Sequence, residues 1–220
     1  MAVVGVGGAG CAVVDHIYCS DADMETVAIN TDRASLDRTG AHRRVLLCDR
    51  VTRGEGAKGD HELGRSCAIT HIDKITESLQ GNDIIFIVAG MGGGTGTGAA
   101  PVVADISRRL GMITFAIAIN PFKFEDGRRR VAREGLRRLR AVAPLTMVME
   151  NDLLLERAPE STMADAFAMA SAGIEDYIRR NSRKVTSVFL EQLTQMEMRL
   201  GEPYGDWPST ETDTVRILFP

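Results

Sequence analysis

Two glycine clusters constrain this chain more than any other feature, because each stands between a strand-sized apolar run and a helix-patterned stretch. The first, Gly5-Val6-Gly7-Gly8-Ala9-Gly10, closes the run Ala2–Val6. The second, Gly90-Met91-Gly92-Gly93-Gly94-Thr95-Gly96-Thr97-Gly98, follows residues 83–89. Further runs at 26–30, 44–47, 112–119 and 145–150 are rich in Val, Ile and Phe. Several are apolar throughout, as strands buried on both faces of a parallel sheet must be. Helical patterns at 61–79, 99–110 and 127–142 alternate with them. The alternation predicts an α/β fold, a doubly wound, mainly parallel Rossmann-like sheet flanked by helices with right-handed crossovers. Ligands on such sheets bind at the carboxyl ends of the strands, which is where both clusters fall.

Glycines at a strand-to-helix turn let the backbone approach phosphate oxygens, which then sit at the positive helix N-terminus. The first cluster fits GxGxxG, and Asp32 follows just past the second strand, where an acid can hold a ribose. Taken alone, this is a dinucleotide-binding fingerprint, and an NAD(P)-binding protein is one reading. The second cluster speaks against it. Its glycines leave a ribbon of unshielded amides, a nest suited to a polyphosphate, with the Thr95 and Thr97 hydroxyls as extra donors. No Lys-Ser/Thr follows the last glycine, so it is not a Walker loop.

Composition narrows the partners. The 220 residues carry Lys+Arg 26 against Asp+Glu 30, a net charge of −4, so no global basic excess draws the chain to nucleic acid or anionic lipid. The apolar runs are broken by Gly or polar residues, so no membrane span is expected, and Met1 leads into Val3-Val4-Gly5 without the basic segment of a secretory signal. Cys11, Cys19, Cys48 and Cys67 form no CxxC pair, and a reduced cytoplasmic protein is expected rather than a secreted one with two disulfides. His16, His42, His61 and His71 are scattered, as structural or exposed residues are.

Residues 92–98 read GGGTGTG, which resembles the signature of the tubulin/FtsZ family of GTPases. GVGGAG at 5–10, AINTD at 28–32, TRGEGAKGDHELGR at 52–65, PFKFE at 121–125 and END at 150–152 occur in FtsZ order and at nearly FtsZ spacing. The resemblance implies a tubulin/FtsZ-type GTP-binding domain over residues 1–180, with a helical extension and tail over 181–220. It looks like a divergent, truncated prokaryotic form without the family's C-terminal domain. GTP or GDP with Mg2+ would be the ligands, and a cytoskeletal or cell-division role is implied.

Residue by residue, the resemblance makes Gly7, Gly8 and Gly10 the first phosphate loop, with Cys11 beside it. Gly92, Gly93, Gly94, Thr95, Gly96, Thr97 and Gly98 would wrap the α- and β-phosphates. Asn30 and Asp32 would lie near the nucleotide, Asp32 as the magnesium ligand. Gly56, Ala57 and Gly59 would belong to the loop that senses the γ-phosphate. Glu125 resembles the ribose binder, joined by Arg129 if family spacing is kept or Arg128 if the gap is placed earlier. Asn151 would read the guanine edge and Phe167 would stack on the base.

The chain also departs from the family. Lys58 stands where a small residue is usual. A cation there would favour a triphosphate or replace part of the metal's charge, unless it is merely a solvated lysine. Ser171 replaces an aspartate that accepts two hydrogen bonds from guanine and can itself accept one. Past Tyr177 no NxDxxD-like acidic loop occurs, and a second domain of family size has no room. Without those acids to position water, slow or incomplete hydrolysis is expected and fast-turnover filaments are not, with a non-hydrolysing nucleotide-dependent switch or scaffold as the alternative; Glu191, Glu197 and Glu202 could stand in, but nothing selects them.

Three further features have bland readings as well as functional ones. Arg128, Arg129, Arg130, Arg133, Arg137, Arg138 and Arg140 load one helix, read as a solvated face rather than a nucleic-acid surface. The Cys11 thiol lies at a helix start that can lower its pKa, but packing is the favoured reading. Ser161 or Thr162 caps a helix running to about residue 180, and 184–200 forms a second helix. Phe189, Leu193, Met196 and Leu200 stripe one face of that second helix; packing back on the sheet's own helices is the default reading, and a seam with a second copy or another FtsZ-like protein is the alternative. Residues 215–219 could add as an edge strand.

Overall fold

Aliphatic runs too short for helices and apolar on both faces become strands, and the polar, 3.6-periodic stretches between them become helices. The computed structural model describes residues 1–20, 24–157, 160 and 162–200. The strands are β1 (Ala2–Val6), β2 (Glu25–Asn30), β3 (Arg43–Leu46), β4 (Ile84–Gly90), β5 (Ile113–Asn120) and β6 (Thr146–Glu150). The helices are α1 (Gly7–Ser20), α2 (Arg33–Arg38), α3 (Asp49–Thr52), α4 (His61–Thr70), α5 (Ile72–Leu79), α6 (Gly94–Arg109), α7 (Asp126–Val142), α8 (Asp152–Arg157) and α9 (Met163–Leu200).

All pairings are parallel and the order is β3-β2-β1-β4-β5-β6, the doubly wound arrangement that the alternation predicts. The strand order reverses between β1 and β4, and the two glycine clusters follow those two neighbouring strands. Successive residues of β1 feed opposite faces. Val4, Ile29 and Ile87 pack with Leu79, Val103 and Leu139 on one side. Val3, Ala28 and Phe86 pack with Val14, Ile17, Ile174 and Ile178 on the other. Among the described residues no helix is long and apolar enough to cross a membrane.

Three elements differ from the sequence reading. The expected helix over 61–79 breaks at His71, whose backbone ends α4 and whose N–H bonds the Ala68 carbonyl at 3.2 Å. The expected start of α6 at residue 99 moves back to Gly94, so the glycines form its first turn. The two expected C-terminal helices are one continuous α9. Thr162 caps it reciprocally, its hydroxyl accepting the Asp165 N–H at 3.2 Å while Asp165 accepts the Thr162 N–H at 3.1 Å; Ser161 lies outside the described residues.

Contacts divide the chain into compact units, Met1–Arg179 and Arg180–Pro220. In the second unit Val188, Phe189 and Leu190 are exposed. The side chains of Leu193, Met196, Glu197 and Leu200, and all of residues 201–220 with Glu202 and the 215–219 run, lie outside what is described.

Glu175 fastens α9 to α1 within the first unit. It is 9% exposed, accepts from Ser20 Oγ at 2.9 Å, and pairs with Arg179 at 2.7 Å and His16 at 3.2 Å. Burial pushes its carboxyl up, but Arg179, Ser20 and His16 outweigh burial and hold it below the usual range. Folding thus favours the ionised form. The resulting stability is present above an unfolded value of about 4.3 and lost as pH falls through the lower folded value. Glu175→Gln should lower the urea midpoint at neutral pH, and the deficit should shrink towards zero below about pH 4.

Candidate functional site

The site grows out of the two glycine turns. At β1–α1, Gly7 takes a left-handed φ of +74, and a Cβ there would come within 2.7 Å of the Gly96 nitrogen. At β4–α6, a Cβ on Gly94 would come within 2.7 Å of the Ala57 Cβ. Only residues without side chains let the turns press together and let both helices begin at one place. Above them lies a cavity of about 490 Å³ at the carboxyl ends of the strands. Gly8, Ala9 and Gly90 to Gly96 line its middle. A Cβ on Gly8 or Gly93 would meet no protein atom within 4 Å, so each presents bare backbone to the opening. Two helix N-termini with their orphan N–H groups therefore open on one cavity, which is chemistry for an anion.

The ends of the cavity differ. On the β2 side, Asp32 caps α2 by accepting the Ser35 N–H at 2.8 Å through one carboxylate oxygen. Asn30 Oδ1 accepts from the Thr31 N–H at 2.9 Å and shapes that turn. The loop 53–59 is laced to β2, with Gly56 N–H and the Thr52 hydroxyl both donating to the Thr31 carbonyl at 3.2 Å and an isolated bridge joining Asp32 to Glu55. Lys58 pairs with Glu55, which holds the Glu55 carboxyl below its usual range, and both line the cavity. On the β6 side stand Asn120, Phe122, Glu125, Arg128, Asn151 and Phe167. Arg128 donates to Glu125 at 2.7 Å, and Phe122 stacks on Phe124 with Phe167 tilted against it. Asn151 is 7% exposed, yet its Oδ1 has no partner among the described residues. Leaving a buried acceptor unmet is costly unless a ligand N–H completes it.

Of the residues singled out from sequence, Gly8, Asn30, Asp32, Gly56, Lys58, Gly59, Gly92, Gly93, Gly94, Thr95, Gly96, Glu125, Arg128, Asn151 and Phe167 line this cavity. The others do not. Gly7, Gly10, Ala57 and Gly98 are packing positions; a Cβ on Gly10 would strike the Val88 carbonyl, and one on Gly98 the His61 carbonyl. Thr97 accepts the Gly92 N–H at 2.8 Å and so shapes the turn, while Thr95 shares a 2.6 Å hydroxyl contact with Thr31. Arg128 lines the cavity and pairs with Glu125 whereas Arg129 is not part of the lining, so the geometry favours Arg128 of the two arginines. Ser171, 7% exposed, sits one helical turn beyond Phe167 and is not part of the lining. Ser35, Glu55, Asn120 and Phe122 line the cavity without having been singled out as binders. The position of Asn120 at the carboxyl end of a parallel strand was the available signal.

Cys11 packs, as its favoured reading has it, and does not line the cavity beside the first phosphate loop. It lies at the start of α1, but its Sγ faces inward to the Gly5 and Ile29 carbonyls at 3.9 and 3.8 Å. Burial pushes its thiol up to about 12, against the lowering that a helix N-terminus would give. All four cysteines are free.

The sequence model described as "Tubulin/FtsZ family, GTPase domain" matches residues 1–159. The chain belongs to the tubulin/FtsZ family. It is 39% identical over 232 residues to the cell division protein FtsZ 1 of Archaeoglobus fulgidus, covering 99% of this chain and 63% of that protein. An empty FtsZ dimer from M. jannaschii superposes with a TM-score of 0.73 at 39% identity, over 78% of this chain and 50% of that one. A GTPγS-bound protofilament of CetZ2 from Haloferax volcanii gives 0.74 at 25% identity, over 80% and 56%. The chain spans about half to two-thirds of the length of its relatives. Within a tubulin/FtsZ domain the β1 and β4 turns of this chain stand together as its motifs require, and Lys58 and its partner Glu55 both line the cavity.

A thiol reagent such as Ellman's should modify exposed Cys19 quickly in the native protein and spare Cys11 until denaturant is added. Mass spectrometry of the labelled peptides checks this, and rapid native labelling of Cys11 would contradict its placement.

Proposed function

We propose that this chain binds a guanine nucleotide, GTP or GDP, with Mg2+, in the cavity above β1 and β4, and hydrolyses GTP slowly. The observation that carries this reading is the pair of glycine turns pressed together beneath one cavity, each opening a helix. The phosphate chain lies over Gly8 and Gly92 to Gly96, where backbone N–H groups and helix dipoles meet it. The ribose lies near Glu125 and Arg128. The base lies against Phe167, its N–H edge completing the buried Asn151 oxygen, which suits guanine's N1 and N2 donors. Ser171 is a poor second acceptor from its place off the lining.

Among the described residues no cluster of three His, Cys, Asp or Glu could hold a metal by itself. One carboxylate beside a phosphate chain nonetheless suits Mg2+, which keeps several waters and shares its shell with phosphate oxygens. Asp32, with one oxygen spent on Ser35, is the ligand the chain offers. When bound, the metal neutralises charge on the phosphates. Slow hydrolysis is supported by α9 running unbroken to Leu200 through a stretch with no NxDxxD loop. The exposed Val188, Phe189 and Leu190 suit assembly with a second copy or another family member. The free thiols suit a reducing, cytoplasmic setting. The NAD(P) alternative is disfavoured by the second glycine turn and by the family.

Denaturing the purified protein and chromatographing what it releases should yield guanine nucleotide; nicotinamide dinucleotide would overturn the reading. Phosphate release from added GTP should be slow and only weakly dependent on protein concentration, and brisk cooperative turnover would contradict the slow-hydrolysis element. Gly8→Ala and Gly93→Ala should leave stability within about 0.5 kcal/mol, because the new methyl meets no protein atom. They should weaken GDP binding by about tenfold or more by intruding on the phosphate cradle, read by displacement of a fluorescent nucleotide.

A further inference from the structure

The strand order gives the cavity a direction. Asp32 follows β2, Gly8 follows β1, Gly92 follows β4, Asn120 ends β5 and Asn151 follows β6, in the order of the sheet. Neighbouring strands lie about 4.8 Å apart, so the row from β2 to β6 runs about 19 Å, the reach of an extended nucleoside triphosphate. The unmet Asn151 oxygen and Phe167 mark the base end. With the glycine turns in the middle, the last phosphate falls at the β2 end, beside Asp32 and the loop that carries Lys58.

Lys58 is anomalous there. Among the described residues it is one of three non-glycine residues with positive φ, at +46, where a β-carbon is strained and glycine would sit freely. Its ion pair with Glu55 joins two side chains that are 70% and 60% exposed, and pairs so exposed add little to stability. The turn 57–60, closed by the Asp60 N–H on the Ala57 carbonyl at 2.8 Å, accounts for the left-handed φ of residues 58 and 59 but not for a lysine at the first of them, where such turns favour glycine, asparagine or aspartate. Both charges line the cavity, the cation held by a carboxylate that a phosphate can outcompete.

We propose that Lys58 reads the length of the bound phosphate chain, leaving Glu55 for the terminal phosphate of a nucleoside triphosphate and staying with Glu55 when a diphosphate is bound. The proposal rests on the nucleotide reading above and adds a discriminating residue to it. Glu55 is the resting partner of the ammonium and the competitor of the phosphate. The exchange is one ion pair for another, with no bond made or broken and no proton moved. In the triphosphate state loop 53–59 is tied to the ligand, and in the diphosphate state it is tied only to itself and to β2.

The test is the ratio of affinities for GTPγS and GDP, each measured by displacement of a fluorescent nucleotide from the full chain. Lys58→Ala should cut the triphosphate preference between about ten- and a hundred-fold, the range of a lost charged contact, with GDP affinity little changed. Glu55→Gln should raise GTPγS affinity more than GDP affinity. Hydrogen exchange across 53–59 should slow with GTPγS but not with GDP, and the slowing should vanish in Lys58→Ala. Both residues are exposed, so unfolding midpoints should match the natural chain and folding should not confound the comparison. An unchanged GTPγS/GDP ratio in Lys58→Ala, with both nucleotides still bound, overturns the role of Lys58 and leaves the nucleotide site standing. Failure of the natural chain to bind either nucleotide overturns both.

Discussion

The close approach of backbone to backbone at the reversal point of the sheet governs this molecule. Gly7 lies where any side chain would strike Gly96, and Gly96 itself is pressed on the Gly90 carbonyl. Because β1 and β4 are hydrogen-bonded neighbours, the turns that leave them have no room for a side chain at Gly7 or Gly96, and both helices start in the same small volume. Everything else in the cavity is arranged around that contact. The pocket floor is thus main chain, which cannot be replaced residue by residue as a side-chain site can.

Packing and recognition share the same glycines but divide the labour among them. Gly10 and Gly98 lie against the Val88 and His61 carbonyls and serve the fold. Gly8 and Gly93 face open space and serve the cavity. A motif written as a string hides this division, because every glycine in it looks alike.

The strands were legible to within a residue or two because apolar runs of strand length between helical patterns have few other fates. The second glycine cluster was legible as an anion nest, but the start of α6 was not. Glycine's poor helix propensity argues for a loop over 92–98, and tertiary contact with Gly64 and Ala57 overrides it. Thr97 read as a phosphate donor and proves to hold its own turn through Gly92, a bond that spacing alone does not reveal. Cys11 read as a packing residue despite its place at a helix start, and its burial against the Ile29 carbonyl agrees with that. Lys58 was visible as a departure, but its partner was not, because an i,i+3 pair in a loop lacks the fixed geometry it would have on a helix.

The segment between α3 and α4 has a mechanical consequence. Gly64 is jammed against Gly94, and Gly98 against the start of α4, so α4 and α6 form one stiff block that cannot slide. Upstream, Thr52 and Gly54 are tied to β2 and α2. Any rearrangement must then be absorbed by the few residues from Glu55 to Asp60. Gly56 and Gly59, at φ +79 and +87, supply the swivels on either side of Lys58. The cation is mounted on a short crank between two fixed bearings.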